Sequence, residues 1–188
     1  PILSNYTYKE FYLPRVTQIL SFCSDQKGLI DWAASLPYNV YNSIRNNALD
    51  TGTFAHEMIE NYLHYLVGES NKEDKIPLTF DLANDKVNKG AINAYANFKF
   101  WYRNFVEHGF KINKVYGTEV ELSCPGYGGT ADAIVDINGG TYIIDLKTSK
   151  QISYDYILQL IAYKMIIDNG FSNIRSEERR VGKECRSR

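Results

Sequence analysis

The sequence predicts an α/β fold: a helical N-terminal part, then a small sheet, then a closing helix. Apolar residues recur at three- and four-residue spacing over two stretches before residue 110, three segments rich in β-branched and aromatic residues follow, and an apolar helical stretch comes last. With 188 residues, 44% of them hydrophobic and 23% charged, the chain is expected to form one domain over 1–174. Its helical part would cover 1–110, and its sheet and last helix 111–174.

Up to about Leu49 the chain reads as helical, with irregular joints at Pro14, Gly28 and Pro37. A clearer helix is expected from about Gly52 to Val67, with Ala55, Met58, Ile59, Tyr62, Leu63 and Leu66 on its stripe and Asp50 and Thr51 as caps. GESNKEDKIP, 68–77, reads as a loop. A second long helix follows over roughly Asp85 to Glu107, and its Tyr95, Phe98, Trp101, Tyr102 and Phe105 are expected to be core rather than a base-stacking platform.

Three strands come next, KVYGTEVEL, GGTADAIVDI and GTYIIDLKTS, so about 110 residues precede the first of them. Asn138-Gly139-Gly140 between the last two favours a tight hairpin turn. The final helix, about Tyr154 to Asn169, is apolar on most faces (Ile157, Leu158, Leu160, Ile161, Met165, Ile166, Ile167) and is expected to be buried against the sheet, with Gly170 ending it.

No long apolar run and no basic leader with an apolar stretch opens the chain, so a cytoplasmic protein is expected. Cys23, Cys124 and Cys185 are isolated, offering neither a disulfide framework nor a CxxC pair. The last fourteen residues, RSEERRVGKECRSR, resemble the in-frame translation of a short-read sequencing adaptor. They are expected to be an artefactual tail, 175–188, rather than a basic arm. The segment carries six basic and three acidic residues, so the net charge moves from −1 to −4 without it. The natural sequence would then continue differently beyond Ile174, and Pro1 points to an incomplete N-terminus.

Chemistry concentrates in IIDLKTS. Asp145 and Lys147 are two apart on an expected strand, so both leave one face while Ile144 and Leu146 leave the other. Asp132, thirteen residues earlier, follows the run GGTA, whose small residues would let a phosphodiester backbone come close. Two carboxylates suit Mg²⁺, with Mn²⁺ able to substitute, because hard cations take oxygen ligands and share them with substrate phosphate. The metal would polarise the phosphoryl oxygen, and Lys147 would orient the attacking water or stabilise charge at phosphorus.

A D-x-K pair on a strand is also a common exposed salt bridge, and it is the neighbours that add to the reading. Glu119 offers a third carboxylate, with Glu121 a rival on its face, and Gln159 and Tyr163 lie four apart on one side of the final helix. HEMIE has Glu60 where the HExxH zinc motif needs its second histidine, so a zinc protease reading is poor. A lone histidine such as His56 beside an apolar stripe is usually structural, here paired with Glu60 one turn on.

GTFAHEMIENYL, the E-x-x-L from Glu119 to Leu122, GGTAD, IIDLKTS and QLIAY, in that order, resemble the successive motifs of RecB-like PD-(D/E)xK nucleases, among them phage-type exonucleases and the mitochondrial genome maintenance exonuclease. The resemblance covers Leu13 to about Asn169, with LPRVTQIL similar to the family's N-terminal segment. It implies a restriction-endonuclease-like core of helix, three strands, helix and a further strand, here with an N-terminal helical extension and the final core strand missing. It also implies that Asp132 and Asp145 are metal ligands assisted by Glu119, that Lys147 is the catalytic lysine, and that His56, Gln159 and Tyr163 line the site.

The expected activity is therefore a Mg²⁺-dependent DNA nuclease, an exonuclease on single-stranded or frayed ends, in the cytoplasm of a bacterium or phage-infected host and with no membrane partner. The alternative is a non-catalytic DNA-binding or scaffold module that keeps the fold, against which the intact Asp132, Asp145 and Lys147 argue. Lysines 86, 89, 99, 111, 114, 147, 150 and 164 would form a local track for DNA.

Overall fold

The structure is a computed structural model and describes residues 7–8, 11–71, 85–149 and 151–170. The expected loop over 68–77 is described only to residue 71, and the adaptor-like segment 175–188, Cys185 and Lys150 lie outside the described residues.

In chain order the elements are β1 (Thr7–Tyr8), β2 (Phe11–Tyr12), α1 (Val16–Cys23), α2 (Lys27–Ala34), α3 (Tyr38–Leu66), α4 (Asp85–Glu107), β3 (Ile112–Cys124), β4 (Tyr127–Ile137), β5 (Gly140–Ile144) and α5 (Tyr154–Asp168). The chain is thus mixed α/β, with a three-stranded antiparallel sheet in the order β3-β4-β5. The short β1–β2 pair means that strands occur well before residue 110, against expectation. Among the described residues no helix is long and apolar enough to cross a membrane.

Two compact units are present. One is built from residues up to Ser24, Glu119–Ala131 and Ile152 onward; the other from Asp25–Thr118 and Asp132–Gln151. The two long strands β3 and β4 each give one half to each unit.

The second unit is organised by α3 packed on α4. α3 starts after Pro37 and runs unbroken through Asp50, Thr51 and Gly52, so these are not caps. Its buried residues begin only at Phe54, which is why the solvated first half shows no stripe in the sequence. Gly28 likewise lies inside α2, and the break falls before Lys27.

Beneath the two helices, Met58, Ile59, Tyr62, Leu63, Tyr95 and Tyr102 meet Ile112, Val115, Ala133, Val135 and Ile137 of the sheet. Each large apolar side chain buried there contributes about 1.5–3 kcal/mol. Tyr62 presents edge-on contacts to Tyr95, Phe98 and Tyr102 at centroid distances of 5.9, 6.3 and 6.2 Å, so most of the α4 aromatic stripe is core. Trp101 remains partly exposed and stacks on Phe105 at 4.9 Å.

β5 pairs with β4 from Ile137↔Gly140 to Ala133↔Ile144. Asn138 and Gly139 both have positive φ, 50° and 87°, as a two-residue type I′ turn requires.

In the first unit α1 packs on α5, and the Ser24 hydroxyl at the end of α1 bonds the Asp155 carboxylate at 2.7 Å. α5 is capped by Ser153, whose hydroxyl accepts the Asp155 N–H, and the chain turns at Gly170 with φ 76°. Only Gln159, Tyr163 and Ile166 of α5 are buried. Ile157, Ile161 and Met165 are about half exposed, which corrects the expectation that this helix is covered on most faces. Among the described residues, α1 and the first half of β4 lie against one side of it.

Candidate active site

The β4–β5 ladder stops at Ala133↔Ile144, so Asp145 and Lys147 stand just beyond the strand and not on it. The alternation nevertheless persists: Ile144 and Leu146 both pack on the core beneath α3 and α4. Asp132 holds the unpaired segment in place, its Oδ2 accepting the Leu146 N–H. A side chain thus takes over where backbone pairing ends.

The remaining oxygen of Asp132, Oδ1, lies 3.4 Å from His56 Nδ1 on α3. His56 therefore faces Asp132, while Glu60, its expected partner, accepts the Thr118 hydroxyl from β3. Lys147 Nζ binds Asp145 Oδ2 at 2.6 Å. The Asp145 side chain is only 3% exposed, whereas that of Lys147 is 31% exposed.

Burial pushes the Asp145 carboxyl above its usual range. The hydrogen bond and charge of Lys147 pull it back, the Asp132 carboxylate pushes it up again, and His56 opposes that. His56 and Lys147 line a cleft of about 260 Å³, walled also by Ala94, Asn97 and Phe98 of α4 and by Thr148 and Ser149. Asn97, Thr148 and Ser149 were not singled out from sequence. The one signal was the pair of small hydroxyl residues directly after Lys147.

The remaining expected site residues belong to the first unit. Glu119 is exposed on β3 with φ 48°, a left-handed value that interrupts the alternation of that strand. Gln159 and Tyr163 are buried on α5, where Gln159 Nε2 donates to the Tyr163 hydroxyl at 3.0 Å. Their presence on an apolar helix thus has a structural reason in one another.

The run GGTA does not lie open to a ligand. A Cβ on Gly129 would come within 2.6 Å of the Tyr163 ring, so the missing side chain makes room for the chain's own tyrosine. Gly128 is buried and donates its N–H to the Pro14 carbonyl. The expectation of a phosphodiester backbone approaching there is corrected accordingly.

Two neighbouring carboxylates, one of them buried, form a hard-oxygen donor set that suits a divalent cation, since such an ion relieves their mutual repulsion. Each oxygen carries two lone pairs, so the bonds to Leu146, His56 and Lys147 leave acceptor capacity. No family model, no curated protein and no solved structure matches the chain.

Proposed function

We propose that the chain is a metal-dependent DNA nuclease of the PD-(D/E)xK type, with a restriction-endonuclease-like core, hydrolysing phosphodiester bonds at free ends of single-stranded DNA. The observation that carries this reading is that His56 and Lys147 line one cleft while each is paired with a carboxylate, His56 with Asp132 and Lys147 with Asp145, the four coming from three separate segments. Such a set needs its carboxylates together for metal and its cations facing the substrate.

Asp132 and Asp145 would hold Mg²⁺, or Mn²⁺ in its place. When bound, the metal supplies Lewis-acid polarisation of the phosphate and a more acidic water. Lys147, held by Asp145 and reaching the cleft, places a positive charge where negative charge develops on the phosphoryl oxygens. His56, oriented by Asp132, is placed to bond a phosphate oxygen or to pass a proton to the leaving alkoxide. Leu146, partly buried against the core and tethered by its N–H, keeps Asp145 and Lys147 in register with Asp132. The reading rests on these residues of one unit, and Glu119, Gln159 and Tyr163 are not needed for it.

The test is incubation with end-labelled single- and double-stranded DNA, with Mg²⁺, with Mn²⁺ and with EDTA. Metal-dependent loss of the single strand is expected. No cleavage with either metal would sink the reading, and equal rates on linear and circularised single strands would replace exonuclease by endonuclease.

A further inference from the structure

α4 is basic in a chain of net negative charge: it carries Lys86, Lys89, Lys99 and Arg103 against two carboxylates, Asp85 and Glu107, one at each end. A groove of about 460 Å³ runs along it, formed by Met58 of α3 with Ile92, Tyr95, Lys99, Phe100 and Arg103. Lys99 Nζ lies 5.2 Å from the Tyr95 ring centroid and 5.5 Å from that of Tyr62, so its ammonium is held against two aromatic faces. Phe100, beside it, is 63% exposed. Arg103 lies one turn beyond Lys99, which sets two cations side by side along one edge of the helix.

The catalytic cleft uses Ala94, Asn97 and Phe98 of the same helix. At 3.6 residues per turn these point to the side of α4 opposite Ile92, Lys99 and Arg103. The groove is therefore separate from the cleft, and its lining holds two cations, exposed aromatic and apolar surface and no acid.

We propose that this groove is a second binding site for a single nucleic-acid strand, which it holds while another stretch of strand is at the cleft. Lys99 and Arg103 contact backbone phosphates and Phe100 stacks on a base, the pairing of charge and ring that sequence-tolerant single-strand binding uses. The charge complementarity selects a polyanion. The choice of nucleic acid over an acidic polypeptide rests on the nuclease reading above.

Binding is measured in EDTA with the full chain carrying Asp145→Asn, by anisotropy of a fluorescein-labelled oligothymidylate over a range of salt. Lys99→Glu with Arg103→Glu is expected to weaken binding about tenfold and to lower the slope of log K against log salt by about 1.4, as losing two phosphate contacts does. Phe100→Ala is expected to weaken it roughly five- to a hundredfold with the slope unchanged. The neutral pair Lys99→Gln with Arg103→Gln guards against misfolding and should show the same loss of slope, with circular dichroism matching the parent.

Parental affinity and slope in both double variants overturn the proposal. So does loss of binding only to a labelled polyglutamate, which would assign the groove to an acidic polypeptide. Groove-dependent binding by a protein that cleaves nothing in Mg²⁺ leaves this site standing and removes the nuclease reading. Cleavage by the parent with unaltered binding in the groove variants does the reverse.

Discussion

Asp132, one residue before Ala133, accepts the N–H of Leu146, two residues beyond Ile144, where the β4–β5 pairing ends. One carboxylate therefore serves both the backbone and the site. Asp132→Asn keeps an acceptor oxygen for Leu146 and loses the charge; Asp132→Ala loses both. Both variants should lose metal-dependent cleavage. Only the alanine should also lose about 1–3 kcal/mol of stability, from the unsatisfied N–H. Denaturant midpoints and turnover on single-stranded DNA, measured together, check the split, and parental turnover in Asp132→Asn would remove Asp132 from the site.

Asp145 and Lys147 should respond with opposite signs. The Asp145 side chain is buried and its ionised form is disfavoured, chiefly by desolvation. Without divalent metal, Asp145→Asn should therefore raise Tm, by about 2–4 °C for each kcal/mol recovered. Lys147→Ala leaves the carboxylate without its ammonium and should lower Tm. Both should reduce cleavage by about a hundred- to a thousandfold, the scale of losing one aligned charge-stabilising group. Lys147→Ala should still bind metal. A lowered Tm in Asp145→Asn would refute the burial argument, and near-parental turnover in either variant would refute the site.

Gly129→Ala tests the fit of Tyr163. The added methyl would meet the ring at 2.6 Å, so a loss of about 1–3 kcal/mol is expected. Tyr163→Ala opens that space, and in the double variant Gly129→Ala should cost less than it does alone. Additive losses in a double-mutant cycle would show that the two positions do not share the space.

Alkaline stability should depend on Tyr102. Burial raises its phenol above the usual value, partly offset by the backbone hydrogen bond with Ile112. A raised folded value means that the protonated form is favoured on folding. Its contribution is complete below the unfolded value of about 10 and is lost as pH rises from there through the folded value. The stability gap between the parent and Tyr102→Phe should therefore narrow as pH is raised above about 10, read from denaturation curves. A constant gap would contradict the shift.

α4 and α5 were legible almost residue for residue, because an apolar stripe runs the length of one and turn residues bound the other. The first half of α3 was not, since Tyr38 to Thr53 buries no side chain and leaves no period to read. IIDLKTS gave the core face correctly, as Ile144 and Leu146 show, but alternation cannot tell where backbone pairing ends, and Asp145 fell beyond it. GGTA showed that something approaches the backbone closely. That the visitor is Tyr163, thirty-four residues on, is a tertiary fact that no local pattern carries. Nor could spacing tell that His56 faces Asp132, because that depends on the rotation of α3 over the sheet.

The two-residue turn at Asn138 and Gly139 lies five ladder pairs from the end at which Asp145 emerges. A strand has only two faces, so one residue inserted or deleted at that turn would slip β5 by one step and exchange them, sending Asp145 toward the core and Leu146 toward solvent. The length of a distant surface loop thus sets which side chains stand beside Asp132, and the proposed chemistry depends on it.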